Sequence, residues 1–125
     1  MIKILSLGNE FLKEDSLAKE VGKELIKENY NILNIKDSFQ LMQELNSSDS
    51  IIILDVVEKL NEVKILLLEE LKHNKIISAH DFDAGFVLKL FKDKKIKIIG
   101  IPMTGSIKKI KESVKNILND YFEVK

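Results

Sequence analysis

The sequence of 125 residues predicts an α/β fold: a three-layer α/β/α sandwich built on a mostly parallel five-stranded sheet with helices on both faces. Two observations lead there. Short β-branched runs alternate along the chain with stretches whose apolar residues recur at helical spacing, the pattern of a largely parallel sheet joined by helices. One run, Ile51-Ile52-Ile53-Leu54, is apolar on both faces, as a central strand covered by helices on either side must be. No repeat, low-complexity tract or long linker interrupts the alternation. One domain over residues 1–125 is therefore expected, a size that supports a single core and not two.

Residues 2–7 read as the first strand, ending at the turn pair Gly8-Asn9. From Ser16 onward Leu17, Val21 and Leu25, with Ala18 and Ile26, fall on one helical stripe, and Lys19, Lys23 and Lys27 face outward. Asn31 to Lys36 carries Ile32, Leu33 and Ile35, a short second strand. Asp37-Ser38 caps a second helix with Leu41, Met42 and Leu45 as its apolar side, and the polar run Asn46-Ser47-Ser48-Asp49 breaks it. The third strand is 51–54. Val63 to Leu71 fits a strand or a helix equally, and periodicity does not choose between them; one edge strand is left open to an antiparallel place. Ile76-Ile77 is a brief extended piece, and Phe82, Phe86 and Leu90 with Val87 and Phe91 form a helical stripe. Ile96 to Ile101 is the last strand, stopped by Pro102. A helix over roughly 105–122 follows, with the stripe Ile107, Ile110, Val114, Ile117 and Tyr121.

Composition removes several function classes. Twenty basic and 20 acidic residues give a formal net charge of zero, and every basic residue is lysine. Without arginine there is no planar, bidentate reader of phosphate or guanine. Six Phe, two Tyr and no Trp supply few stacking platforms. Nucleic acid is thus not an expected partner, and the lysine-rich run 92–97 reads as a solvated loop. The apolar stretches are shorter than a membrane span needs. The first residues lack the long apolar region of a signal peptide, which makes a cytoplasmic location the expectation. The absence of cysteine excludes disulfides and thiolate metal sites. No exposed apolar stripe is evident, so a monomer is expected.

Ligands in open α/β sheets bind outside the carboxyl ends of the strands, near the point where strand order reverses. Three residues fall at such positions. Asp15 lies past the first strand and opens a helix, Asp55 ends the third strand, and His80 closes Ile76-Ile77-Ser78-Ala79 before another helix. Two carboxylates and one neutral imidazole suit a borderline divalent metal such as zinc, nickel or copper, with positions left for water or a partner's ligand. Each residue also has a plainer reading. Asp15 can cap the helix that begins at Ser16, and His80 can be a structural histidine beside the helix-capping Asp81. Asp55 is harder to explain away, because an acid following four apolar residues is costly unless solvated, paired or used. Glu14 competes with Asp15 for the cleft. His73, flanked by lysine and asparagine, reads as exposed. Glycine spacing for a phosphate loop is missing, and no serine sits in a nucleophile elbow.

The segment Leu7-Gly8-Asn9-Glu10-Phe11-Leu12-Lys13-Glu14-Asp15 resembles the opening motif of the hydrogenase maturation proteases, where a strand ends in Gly-Asn and an acidic pair follows four residues later. Ile52-Ile53-Leu54-Asp55-Val56 is similar to that family's apolar strand ending in Asp. Ile77-Ser78-Ala79-His80 is similar to its Ser-x-His before a helix, and Gly100-Ile101-Pro102 to its last-strand ending. The resemblance implies an endopeptidase that removes a C-terminal extension from the large-subunit precursor of a nickel–iron hydrogenase after nickel insertion. It implies Asp15, Asp55 and His80 as the metal-binding groups, Asp15 and Asp55 as catalytic residues, and nickel carried by the precursor as the recognition element. Zinc or cadmium would be accepted by the same groups. The chain departs from the family where Ser16, Leu17 and Ala18 follow the acidic pair in place of glycines, and where Ser38-Phe39 follows Asp37 in place of Gly-Thr. Less glycine leaves the backbone less freedom for a close approach to a substrate peptide.

Two other readings stand beside this one. A receiver domain matches in length, architecture and an Asp after the third strand, yet would place its acidic pair directly after the first strand and a lysine after the last. A nickel-binding assembly module of the same fold would bind metal or precursor and release no peptide.

Overall fold

The computed structural model describes residues 2–7, 17–47, 50–57, 60–67 and 95–122. Asp15, Glu14, His73, Ser78 and His80 lie outside these residues, as do the extended piece at 76–77 and the helix expected over 82–91.

Among the described residues five strands form one sheet: β1 (Lys3–Ser6), β2 (Ile32–Asn34), β3 (Ser50–Val56), β4 (Lys64–Leu67) and β5 (Lys95–Ile101). Their order is β2-β1-β3-β5-β4. The first three contacts are parallel and β4 runs antiparallel to β5. The described part of the ambiguous segment, 64–67, is thus an antiparallel strand at the edge of the described sheet; residues 68–71 lie outside the described residues. A receiver would carry the order 2-1-3-4-5, so this sheet departs from that alternative.

Among the described residues three helices cover the two faces, giving the expected α/β sandwich. Helix α1 (Leu17–Lys27) and helix α3 (Ile107–Tyr121) pack on one face through Ala18, Val21, Leu25, Ile110, Val114 and Leu118, against Ile4, Ile52, Leu54 and Ile99. Helix α2 (Ser38–Asn46) covers the other through Leu41 and Leu45, against Leu5, Leu7, Ile51, Ile53 and Ile98. Strand β3 is buried on both sides, as its unbroken apolar run demands.

Local chemistry sets the helix ends. Asp37 caps α2 by accepting the Gln40 amide at 2.8 Å. Ser106 does the same for α3 toward Lys109. Helix α1 ends with Asn29 at φ 72°, while Tyr30 N donates to Leu25 O and Asn29 N to Ile26 O. That pair of bonds closes a Schellman motif, and asparagine tolerates the left-handed φ it needs.

Several expected surfaces differ. Lys19, expected outward, is only 8% exposed, which a long aliphatic stem permits. Ile26 and Met42 lie on the flanks of their helices and are exposed. Ile107 and Tyr121 sit one turn beyond the buried row Ile110, Val114 and Leu118, and both are exposed, Tyr121 at 72%. Among the described residues, no helix is long and apolar enough to cross a membrane.

Candidate functional site

Asp55 sits on the sheet's central strand near its carboxyl end and is 0% exposed. It does not end the strand, as the apolar run suggested. The ladder continues past it, with Asp55 opposite Gly100 and Val56 opposite Ile101, and Val57 N donates to Ile101 O at 3.0 Å. The β-branched pair Val56-Val57 carries the extended backbone two residues further than the expected boundary. Asp55 is therefore embedded in the sheet rather than hanging from its rim.

Side chains alternate along a strand, so Asp55 shares the face of Ile51 and Ile53, the one α2 covers. Its Oδ1 accepts the Val56 amide at 2.9 Å. A carboxylate removed from water is costly unless hydrogen bonds or a charge compensate it. Asp55 meets that cost inside the ladder of a parallel sheet, near the carboxyl end where such sheets bind ligands. Beside it, Gly100 has no side chain, and a Cβ there would meet Leu60 Cδ1 at 2.5 Å and Leu66 Cδ1 at 3.0 Å.

The carboxyl end of the sheet also carries a polar group on its opposite face. Ser6 Oγ donates to the Ala18 carbonyl at 2.9 Å, pinning the end of β1 to the first turn of α1. Gly22 permits this close approach: a Cβ there would lie 3.1 Å from both Ser6 Oγ and Asn34 Oδ1. The connection that carries Asp15 thus leaves from Leu7 and returns at Leu17, both at the edge that Asp55 occupies.

His80 belongs to the connection between β4 and β5. Leu67 pairs with Lys97 and Lys95 pairs with Ser50, so both ends of that connection start from the opposite edge of the sheet. From Lys95 to Gly100 the strand rises about 17 Å at ~3.3 Å per residue. His80 lies thirteen positions after Leu67 in the sequence. Even wholly helical they span about 20 Å, so the chain is long enough for the imidazole to reach Asp55. Among the described residues no three acidic or histidine side chains gather into a metal-holding group.

Away from this edge the marked electrostatic feature is structural. Glu28, just past α1, is bonded by Lys111 at 2.7 Å and Lys115 at 2.6 Å from α3. Hydrogen bonds from Lys111, then Lys115, lower its pKa from 4.5 to about 2.

The sequence does not highlight Gly100, Leu60 or the Ser6–Gly22 contact as parts of the site's surroundings. The Gly100-Ile101-Pro102 ending was visible as a strand terminus, but its pairing with Asp55 depends on the order of the strands.

Residues 17–123 match the family model described as hydrogenase maturation protease. Among solved structures, the NiFe hydrogenase maturation protease HybD from Thermococcus kodakarensis superposes with a TM-score of 0.68 at 30% sequence identity, covering 93% of this chain and 97% of that one. No curated protein sequence matches the chain. Sequence and fold agree: the chain belongs to the hydrogenase maturation protease family.

Proposed function

We propose that the protein is an endopeptidase that removes the C-terminal extension of a nickel–iron hydrogenase large-subunit precursor once nickel has been inserted. The observation that carries this reading is the fully buried Asp55 on the central strand of a chain of this family. The nickel belongs to the precursor and is part of the substrate. Asp15, Asp55 and His80 supply two carboxylates and one imidazole, a donor set suited to that ion; zinc or cadmium would suit it as well.

Hydrolysis adds water across the peptide bond. One proton must leave the attacking water and one must reach the departing amine. A carboxylate at the carboxyl end of the sheet is suited to the first transfer, and in its protonated form to the second. Asp55 has a fixed orientation for this task, because Oδ1 is held on the Val56 amide. Asp15 is the second candidate for the same role. The protein's contribution is to seat the precursor by its metal and to hold a base beside the scissile carbonyl, so that proximity converts a slow bimolecular step into an intramolecular one.

The test is incubation of the purified protein with a nickel-loaded large-subunit precursor, followed by the mass of the product. Loss of a C-terminal peptide from the nickel-loaded form, with the metal-free form left intact, is the expected result. An unchanged mass, where a known maturation protease trims the same precursor, rejects the peptidase and favours the non-catalytic assembly module.

A further inference from the structure

Asp55 and Gly100 are partners in the parallel ladder of β3 and β5. They sit on adjacent strands about 4.8 Å apart, with their side-chain positions on the same face. Gly100 leaves its position vacant, and side chains from β4 and from the segment between β3 and β4 fill it. Leu60 Cδ1 lies where a Cβ would be only 2.5 Å away, with Leu66 Cδ1 at 3.0 Å and Val57 Cγ2 at 3.4 Å. Leu66 is fully buried, and Leu60 is partly buried against the α2-side core. Apolar side chains thus occupy the position beside Asp55 on the adjacent strand, the nearest of them from a residue outside the regular strands.

We propose that Leu60, seated in the space Gly100 leaves open, is a positioning residue for Asp55. It seals one side of the carboxylate from water and blocks its rotation toward β5, so that Asp55 keeps the orientation in which Oδ1 accepts the Val56 amide. A metal ligand held this way meets nickel without first shedding water on that flank or choosing among rotamers. Gly100 serves the same end by being small: any side chain there displaces Leu60. This inference rests on the assignment of Asp55 to the site.

The experiment compares wild type with Leu60→Ala, Leu60→Met, Gly100→Ala, the double variant Leu60→Ala/Gly100→Ala, and Asp55→Asn as a control. Two quantities are read on folded protein: the dissociation constant for nickel(II) alone by calorimetry, and kcat and KM separately on nickel-loaded precursor. Melting temperature is recorded for each variant. Leu60→Ala and Gly100→Ala are each expected to weaken nickel binding about tenfold or more and to lower kcat, the size usual for groups that orient a metal ligand. Leu60→Met, which keeps reach and apolarity, stays within about twofold of wild type. In the double variant the new methyl occupies part of the emptied space, so its loss is smaller than the sum of the single losses. A merely structural role lowers the melting temperature and leaves the dissociation constant unchanged. If Asp55→Asn abolishes nickel binding while Leu60→Ala and Gly100→Ala bind as wild type, the positioning role is refuted and the site assignment stands. If Asp55→Asn binds and processes normally, both fail together.

Discussion

The hydroxyl of Ser6, at the end of β1, donates a hydrogen bond of 2.9 Å to the backbone carbonyl of Ala18 in the first turn of α1. It closes the base of the connection that carries Asp15, and it is possible because Gly22 lets the helix sit directly on the strand. Ser6→Ala is expected to cost about 1 kcal/mol in urea unfolding, the net worth of one buried hydrogen bond. Gly22→Ala forces a methyl to within 3.1 Å of Ser6 Oγ and Asn34 Oδ1. Overpacking of this kind costs about 1–3 kcal/mol, and an unchanged midpoint for Gly22→Ala would show that the contact yields freely.

Glu28 ties α1 to α3, and its pKa is lowered from 4.5 to about 2 by hydrogen bonds from Lys111 and Lys115. A lowered carboxylate pKa adds stability that is complete above 4.5 and disappears as pH falls toward 2. Lys111 and Lys115 are shifted upward by the same bonds, so their share persists below 10.5 and is lost only as pH rises beyond it. Glu28→Gln therefore lowers the melting temperature at neutral pH, and the gap to wild type narrows as pH drops through the window from 4.5 to about 2. High salt also narrows it, because the groups are partly exposed to solvent. A gap independent of both pH and salt would contradict the ion-pair explanation.

Asp55→Asn preserves shape and removes the charge. Asparagine keeps an Oδ1 that can accept the Val56 amide, so the variant is expected to fold with a melting temperature near that of wild type. Processing of the precursor should fall by about a hundredfold or more, the size of a lost general base. Retained processing with a lowered melting temperature would mark Asp55 as a structural acid instead.

His80→Ala is expected to abolish nickel binding while leaving the melting temperature near that of wild type. Equal nickel affinity in the two proteins, measured by calorimetry, would remove His80 from the metal-binding set.

The sandwich was legible because its signals are periodic and local. The apolar run 51–54 announces a strand covered on both faces, and Leu41, Leu45, Ile110 and Val114 mark the helix faces that cover the sheet. Asp37 is readable as a cap because its chemistry acts three residues away. What escaped reading depends on distant partners. The strand at 64–67 owes its identity to pairing with β5, and the extension of β3 past Asp55 owes its own to Gly100 and Ile101. Nor does any local pattern show that the vacancy at Gly100 is filled by Leu60. Of the proposed site, Asp55 is legible in the sequence through the cost of an acid after four apolar residues; its confinement between strands depends on the sheet order.

The convergence of Asp15, Asp55 and His80 on one metal is tested most directly by a crystal of the protein soaked in cadmium and measured for anomalous scattering. Convergence gives one strong peak bounded by a carboxylate oxygen of Asp15, a carboxylate oxygen of Asp55 and an imidazole nitrogen of His80. A peak that omits Asp55, or an imidazole lying at the amino edge of the sheet, contradicts it.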